Sequence, residues 1–98
     1  MADQPLSDRE IDEALADLAS WRRDGDSLVR EITFGSFREA MGFMVRVAFE
    51  AEARNHHPEW TNVYDTVSIR LRTHHAGNKI TAKDVDLARA IERIDWTK

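Results

Sequence analysis

Residues 66–73 are Thr66-Val67-Ser68-Ile69-Arg70-Leu71-Arg72-Thr73, in which every second residue from Val67 to Leu71 is apolar. Alternation with a period of two predicts a β-strand that has one buried face and one face in water. Sheets with a single wet face are typically antiparallel, because parallel sheets are covered on both sides. This segment therefore predicts an antiparallel sheet that is covered on one face only.

Local signals on both sides of this strand predict three helices. A Ser or Thr followed three residues later by an acid marks a helix start, because each side chain satisfies a free backbone N–H group of the other residue. This pattern predicts helices that open at Ser7, Ser36 and Thr81. The first is expected to end near Ala19 and the second, which is the longest, near Arg54.

Three further strands complete the predicted sheet. Trp21–Arg23 and Leu28–Phe34 flank an Asp24-Gly25 pair, which is a hairpin signal, and Glu59–Tyr64 has the composition of a short strand. The element order α-β-β-α-β-β-α predicts an α+β two-layer sandwich, with a four-stranded antiparallel sheet and three helices on one face. We expect residues 1–98 to form a single domain, with residues 1–5 disordered.

The composition excludes several classes of protein. The formal net charge is −4 and Lys and Arg form no run, so binding to nucleic acid through phosphates is not expected. The chain has no cysteine, which excludes disulfides, thiolate metal sites and cysteine nucleophiles. It also lacks the roughly 18 consecutive apolar residues of a membrane span and the pattern of a signal peptide. We expect a cytoplasmic protein without a membrane partner.

The predicted central helix carries more apolar surface than contact with one sheet requires. One stripe contains Phe37, Met41, Met44, Val45 and Ala48, and a second stripe contains Phe43, Val47 and Ala51. Two interpretations are open: a wide contact with the core, or a second stripe that meets another subunit. We favour the subunit contact, and we expect a homodimer or a homotetramer.

The histidines occur as two adjacent pairs, His56-His57 and His74-His75. Histidine both donates and accepts protons near pH 7, so we place the candidate active site here. Adjacent residues of an extended chain point to opposite sides, and the His-x-x-x-His spacing of helical zinc sites is missing, which disfavours a metal site. One histidine of the first pair alternatively caps the C-terminus of the central helix, where positive charge is favourable.

Other side chains near the histidines each have a structural and a functional interpretation. Glu52 precedes His56 by one helical turn, so it orients an imidazole, hydrogen-bonds a polar ligand, or points into solvent as an ordinary surface residue. Trp60 and Tyr64 share strand parity and either form a flat wall against an aromatic ring or pack in the core. Asp84 is explained structurally as the acid of the last helix cap.

The chain resembles the pterin-4a-carbinolamine dehydratases over about residues 5 to 95. The shared pattern is Glu52-x-x-x-His56-His57-Pro58, then Tyr64, then His74 ten residues later, then Asp84. Within it, the run Asn-His-His-Pro-Glu-Trp-Thr-Asn-Val-Tyr at residues 55–64 is highly specific. Lys83 stands where family members commonly carry arginine, and the loop before Asp84 differs in length from that of some members.

The resemblance implies a dehydratase domain that removes water from 4a-hydroxytetrahydrobiopterin. The product is a quinonoid dihydropterin, so the reaction recycles the cofactor of aromatic amino-acid hydroxylases and links this protein to such an enzyme. The implied catalytic residues are His56, His57 and His74, with His56 and His74 as the acid/base pair. Substrate binding is implied for Glu52, Trp60, Tyr64, Lys83 and Asp84, with Glu52 and Asp84 either fixing imidazole tautomers or hydrogen-bonding the pterin ring. Neither a metal nor another cofactor is implied, since no electron is transferred.

Two other functions stay open on the sequence. Some members of this family also act as dimerisation cofactors of a transcription factor, so a non-enzymatic binding module or transcriptional coactivator is one alternative. The feature relevant to that alternative is the second apolar stripe of the central helix. A small metal-binding protein is the other alternative, and it predicts that a chelator abolishes function.

Overall fold

The computed structural model of the protein describes residues 3–97 and contains the predicted order of elements. These elements are α1 (Asp8–Ala16), β1 (Arg22–Asp24), β2 (Ser27–Thr33), α2 (Phe37–Arg54), β3 (Glu59–Val63), β4 (Thr66–Leu71) and α3 (Ala82–Ile94). A single 3-10 turn, His74–Ala76, lies between β4 and α3. The α+β sandwich predicted from the sequence is confirmed. Within residues 3–97, no helix has the length and apolar character needed to cross a bilayer.

The four strands form one antiparallel sheet in the order β1-β2-β4-β3. β2 and β4 pair at its centre, with Leu28 opposite Leu71 and Ile32 opposite Val67. These four residues and Ile69 are buried in one hydrophobic core together with the apolar faces of the helices. The alternation of β4 therefore has the predicted consequence: one face of the sheet carries the core and the other remains uncovered.

β4 ends earlier than predicted, at Leu71 instead of Thr73. Thr73 leaves the sheet, and its N–H donates to the carbonyl oxygen of Lys79 at 2.9 Å. This bridge closes the base of a loop that contains the second histidine pair. The end of the first helix was also predicted too late, since α1 ends at Ala16 and not near Ala19.

The second apolar stripe of α2 does not have the role predicted for it. Phe43, Val47 and Ala51, which were expected to meet another subunit, are buried in the core of their own chain. Val47 and Ala51 are small enough to let α2 pack closely against β4 and α3. Instead, the other side of the helix is exposed: Phe37 is 48% exposed, and Phe49, which was in neither predicted stripe, is 72% exposed.

One arginine is buried between the sheet and α3. Arg30 has the strand parity of Leu28 and Ile32, so its side chain points toward the helices and is only 6% exposed. Its guanidinium group donates to the carboxylate of Glu92 at 2.8 Å and to the carboxylate of Asp95, just beyond the end of α3. These ion pairs fix the C-terminal end of α3 on the sheet.

The Asp95 carboxylate makes stability depend on pH. Burial raises the pKa of Asp95, but hydrogen bonds from Thr97 and Arg30 outweigh burial and hold this pKa below its ordinary value. A carboxyl group with a lowered folded-state pKa stabilises the fold above its unfolded pKa of about 4. Its contribution is lost as the pH falls through the folded-state pKa.

We therefore expect the free energy of unfolding to decrease as the pH falls below about 4, and Asp95→Asn to make this decrease shallower. Urea titrations of both proteins across this acid range measure the effect. An equally steep decrease in the two proteins would contradict this role of Asp95.

The N-terminal segment is attached to the loop that precedes α3. The N–H of Leu6 donates to the carbonyl oxygen of Ile80 at 2.8 Å. Residues 3–5 fall within the stretch expected to be disordered, and there the carboxylate of Asp3 contacts His75 and Lys83. The rest of that expectation concerns residues 1 and 2, which lie outside the described residues.

Candidate active site

The antiparallel register of β3 and β4 brings the two histidine pairs to the same end of the sheet. Glu59 lies opposite Arg70, so the residues that precede β3 are close to the residues that follow β4. The Nε atom of Arg72 donates to the carboxylate of Glu59 at 2.6 Å and joins the two segments further. The candidate site is therefore assembled where α2 leads into β3 and where β4 leads into the 3-10 turn.

A single left-handed residue directs His56 and His57 to different places. α2 ends at Arg54, and Asn55 has φ 49° and ψ 43°, a conformation that asparagine tolerates better than most residues. The N–H of His56 then returns to the carbonyl oxygen of Ala51 at 3.0 Å. His56 is buried and His57 is exposed, as predicted for opposite orientations. Asn55, and not a histidine, occupies the C-cap position.

Glu52 pairs with His57 and not with His56. Its Oε1 atom lies 2.8 Å from Nε2 of His57, and both side chains are largely in solvent. The offset of four residues from Glu52 to His56 predicts a contact only within a continuous helix. The helix ends before His56, and the turn at Asn55 points the His56 ring inward, so Glu52 follows the solvent-exposed alternative and the imidazole that it contacts is that of His57.

The partner of His56 is Asp84, in the first turn of α3. The Oδ1 atom of Asp84 lies 2.6 Å from Nε2 of His56, and the carboxylate is fully buried. Its Oδ2 atom accepts hydrogen bonds from the Thr73 hydroxyl and from the Thr81 N–H, each at 2.8 Å. The bond from Thr81 belongs to the capping box that the sequence predicts. One carboxylate thus begins α3 and holds His56.

This arrangement fixes the tautomer of His56. Both groups that contact Oδ2 of Asp84 are donors, and we assign Oδ1 as an acceptor as well, so that Nε2 of His56 carries the proton between the two side chains. In the neutral ring, Nδ1 then holds the free lone pair. An aspartate that binds one ring nitrogen in this way leaves the other nitrogen to accept and return a proton.

His74 is exposed and directly follows Thr73 at the start of the 3-10 turn. Among residues 3–97 its side chain has no hydrogen-bond partner. His75 is engaged instead: its Nε2 lies 2.7 Å from Oδ2 of Asp3, which is also 3.3 Å from Nζ of Lys83. The hydrogen bond from His75 is the main cause that lowers the pKa of Asp3. His74 is therefore available to a ligand, whereas His75 and Lys83 are paired.

The two aromatic candidates lie at different ends of β3. Trp60 is opposite Ile69 on the helix-facing side of the sheet and packs, half-buried, against the core near the histidines. Tyr64 is in the turn between β3 and β4, is 65% exposed and has φ 53°. A strand of five residues is about 16 Å long. The structure does not bring Tyr64 to the histidines of its own chain.

Two other features of residues 3–97 do not add to this site. No group of three or more histidine and acidic side chains is arranged there to hold a metal ion. A cavity of about 530 Å³ lies on the uncovered face of the sheet, lined in part by Glu31, Glu59 and Arg70. Trp60 is the one predicted site residue in its lining, although its strand parity directs its side chain to the other face of the sheet. Arg70 is paired there with Asp24 at 2.7 Å.

The family model described as pterin 4 alpha carbinolamine dehydratase matches residues 4–94. The chain belongs to this family. A protein of Opitutus terrae named "Putative pterin-4-alpha-carbinolamine dehydratase" is 59% identical over 91 residues, which cover 93% of this chain and 94% of that protein. A Rhodopseudomonas palustris protein with the same name is 50% identical over 91 residues, or 91% of this chain and 89% of the relative.

A solved structure of the family has the same fold. The crystal structure of a transcriptional coactivator/pterin dehydratase from Brucella melitensis matches with a TM-score of 0.88 and 36% sequence identity. The match covers 93% of this chain and 98% of that one. The resemblance noted in the sequence is thus confirmed at the level of both family and fold.

Proposed function

We propose that this pterin carbinolamine dehydratase homologue removes water from 4a-hydroxytetrahydrobiopterin by histidine acid/base catalysis. The observation that carries the proposal is the buried His56–Asp84 pair at the same end of the sheet as the exposed His74, which has no side-chain hydrogen bond within residues 3–97. The names of the relatives support the class of reaction. The geometry supplies two imidazoles with different environments, which suits a reaction that needs both a proton donor and a proton acceptor.

The dehydration balances with proton transfers alone. The C4a–O bond breaks while a proton is donated to the leaving hydroxyl group, which departs as water. The proton on N5 is removed, and the electron pair of the N–H bond forms the C4a=N5 double bond of the quinonoid dihydropterin. In our proposal His56 and His74 are the acid/base pair, and each contributes about 10²–10⁴-fold to the rate.

The remaining residues of the site are proposed to bind the pterin. His57 and Glu52 form an exposed pair beside His56, so they are placed to donate to and accept from the polar edge of the ring. Trp60 is proposed to pack near the plane of the pterin ring. Lys83 contacts substrate only if it releases its partner Asp3. Asp84 acts through His56. Tyr64 is left out because it lies at the far end of β3.

Recycling of a hydroxylase cofactor is the proposed cellular role. The product would be a quinonoid dihydropterin, which must be reduced before an aromatic amino-acid hydroxylase can use it again. The proposed link to such a hydroxylase is functional, through the substrate and the product, and requires no contact between the two proteins. We propose that the whole cycle takes place in the cytoplasm.

The direct test is the decay of C4a-hydroxytetrahydropterin, followed by stopped-flow absorbance at near-neutral pH with EDTA present. We expect the protein to accelerate decay well above the spontaneous rate, and we expect EDTA to have no effect. A folded protein that leaves the spontaneous rate unchanged would overturn the dehydratase proposal. Activity that EDTA abolishes would instead favour a metal-dependent protein.

We also propose that α2 joins copies of this chain in a homodimer or homotetramer. Phe37, Met41, Val45 and Phe49 follow one another at intervals of four residues and form an apolar strip along the helix. Phe37, Val45 and Phe49 are 48%, 54% and 72% exposed. Large apolar side chains arranged contiguously on a surface are typical of a protein–protein interface.

Phe49→Lys tests this interface, because it places a charge at the most exposed position of the strip. We expect the mass measured by light scattering to fall to that of a monomer or a smaller oligomer. Ala16→Lys adds the same charge at an exposed position of α1 and serves as the matched control. A mass that Phe49→Lys leaves unchanged would show that α2 is not the interface.

The same strip supports a second candidate function, that of a binding module for another protein. The relative from Brucella melitensis is described as both a transcriptional coactivator and a pterin dehydratase. A strip sealed by a second copy of the chain is not accessible to a foreign helix. A monomeric wild-type protein without dehydratase activity would favour the binding module, whereas an active oligomer favours the enzyme.

A further inference from the structure

The hydrogen bonds around Asp84 run in one defined direction. The N–H of Lys83 donates to the hydroxyl of Thr81 at 3.2 Å, and the hydroxyls of Thr73 and Thr81 lie 2.8 Å apart. Thr73 has one hydroxyl proton, and it is donated to Oδ2 of Asp84. The proton between the two threonines therefore comes from Thr81. The chain of donors ends on the carboxylate that holds His56.

These hydrogen bonds are closed off from water. Thr73 and Asp84 are 0% exposed and Thr81 is 1% exposed. A buried acceptor that loses its donor has no water to bond instead. The unpaired acceptor costs free energy, and this cost favours any rearrangement that restores a hydrogen bond. Because Oδ2 is occupied by Thr73 and Thr81, Oδ1 is the atom left for His56. The Thr73 hydroxyl thus shares with the N–H of Thr81 the task of positioning the carboxylate.

Thr73 also stands next to the second candidate catalytic histidine. Its N–H bonds to the carbonyl oxygen of Lys79, and the 3-10 turn begins with His74 directly after it. One hydrogen bond joins the His56 ring to Asp84, a second joins Asp84 to Thr73, and a peptide bond joins Thr73 to His74. No shorter covalent or hydrogen-bonded route within the described residues links the two histidines.

We propose that Thr73 is a positioning residue whose hydroxyl group fixes the tautomer of His56 and fixes the positions of His56 and His74 relative to each other. Its effect on the rate rests on the proposed dehydration, whereas its effect on the His56 ring does not. The substrate of the site is unchanged by this proposal. His56 and His74 are expected to act together as acid and base only while the buried Thr73 hydroxyl group connects them.

The test compares Thr73→Val, which keeps the shape and removes the hydroxyl, with Thr73→Ser, which keeps the hydroxyl. The matched control is Thr33→Val, because Thr33 shares a similar contact with Thr66 at 3.1 Å on the exposed side of the sheet. ¹⁵N NMR of the imidazoles reports the tautomer of His56 without any substrate. Stopped-flow kinetics report kcat and KM.

We expect a single Nε2–H tautomer in the wild type, Thr73→Ser and Thr33→Val, and a mixture of tautomers in Thr73→Val. We expect Thr73→Val to lower kcat about 10–100-fold, as loss of an outer hydrogen-bond partner does for metal-bound histidines, with KM changed less than kcat. Thr73→Ser should restore most of kcat. If Thr73→Val does not fold, Thr73→Ala carries the same test without a methyl group against the carboxylate.

A hydroxyl-free variant that keeps a single His56 tautomer overturns the proposal. Loss of kcat in Thr73→Ser equal to that in Thr73→Val also overturns it, because the methyl group and not the hydroxyl would then matter. If the wild-type protein has no dehydratase activity but Thr73→Val still gives a mixture of His56 tautomers, the proposed function is refuted and the positioning of His56 by Thr73 is supported.

Discussion

His74→Ala is expected to lower kcat for dehydration by about 10²–10⁴-fold, the usual contribution of one general acid or base. The side chain is exposed and has no hydrogen-bond partner among residues 3–97, so its removal disturbs no packing. The melting temperature should therefore stay within about 4 °C of the wild-type value, as for other surface substitutions. Stopped-flow kinetics and thermal unfolding of the same preparation separate the two effects.

His75→Ala is the matched control for this experiment. It removes the same side chain from the next residue, but His75 binds Asp3 and lies outside the proposed acid/base pair. We expect kcat to change less than about threefold, well below the contribution of a catalytic acid or base. Equal losses in the two variants would mean that the 3-10 turn, and not the His74 imidazole, supports the reaction.

Arg30→Met is expected to lower the free energy of unfolding by about 3–5 kcal/mol, the usual cost of removing one partner of a buried ion pair. Methionine fills much of the space but leaves the carboxylate of Asp95 without its cation in the protein interior. For a domain of this size each kcal/mol corresponds to about 4–8 °C in melting temperature. We therefore expect a decrease of more than about 12 °C in a thermal scan.

Arg70→Met makes the same substitution in an exposed ion pair. Arg70 lies 2.7 Å from Asp24, but the two side chains are 38% and 52% exposed, so the pair contributes about 0–1 kcal/mol. We expect the melting temperature to decrease by no more than about 8 °C. If the two variants lost similar stability, burial of Arg30 would not be the reason for its effect.

The fold could be predicted from the sequence because its signals are local. The alternation from Val67 to Leu71 defines the covered face of the sheet, and the caps at Ser7 and Ser36 mark the helix starts correctly. Element ends were less accurate, since they depend on contacts such as that of Thr73 with Lys79. The periodicity of α2 also could not say which of two apolar faces meets the sheet.

The candidate site was predicted in its residue types but not in its pairings. A contact of Glu52 with His56 was one open alternative, and it requires helical spacing to continue through Asn55, whose left-handed backbone breaks it. Asp84 was recognised as a cap, and only the family resemblance implied that it fixes an imidazole or binds the pterin ring, because its contact with His56 joins residues 28 positions apart. Thr73 was missed for the same reason, since its partner Asp84 is 11 positions further along the chain.

The burial of Arg30 illustrates the same limit. Its strand parity places it among core residues, which a sequence pattern alone reports as an interruption of the apolar face. Its partners Glu92 and Asp95 follow 62 and 65 positions later. Only the packing of α3 against β2 brings these charges together, and that packing is a tertiary event.

The Asp84 carboxylate both caps α3 and holds His56, so stability and turnover are expected to depend on the same residue. A library of variants screened only for heat resistance would retain Asp84 for the start of α3, and would thereby preserve the His56 geometry without any selection for turnover. A library screened only for turnover would likewise retain Asp84, and would thereby preserve the start of α3. New substrate preferences in this lineage are therefore expected to arise from exposed positions such as Glu52 and His57, where a change alters the ligand surface and leaves the scaffold intact.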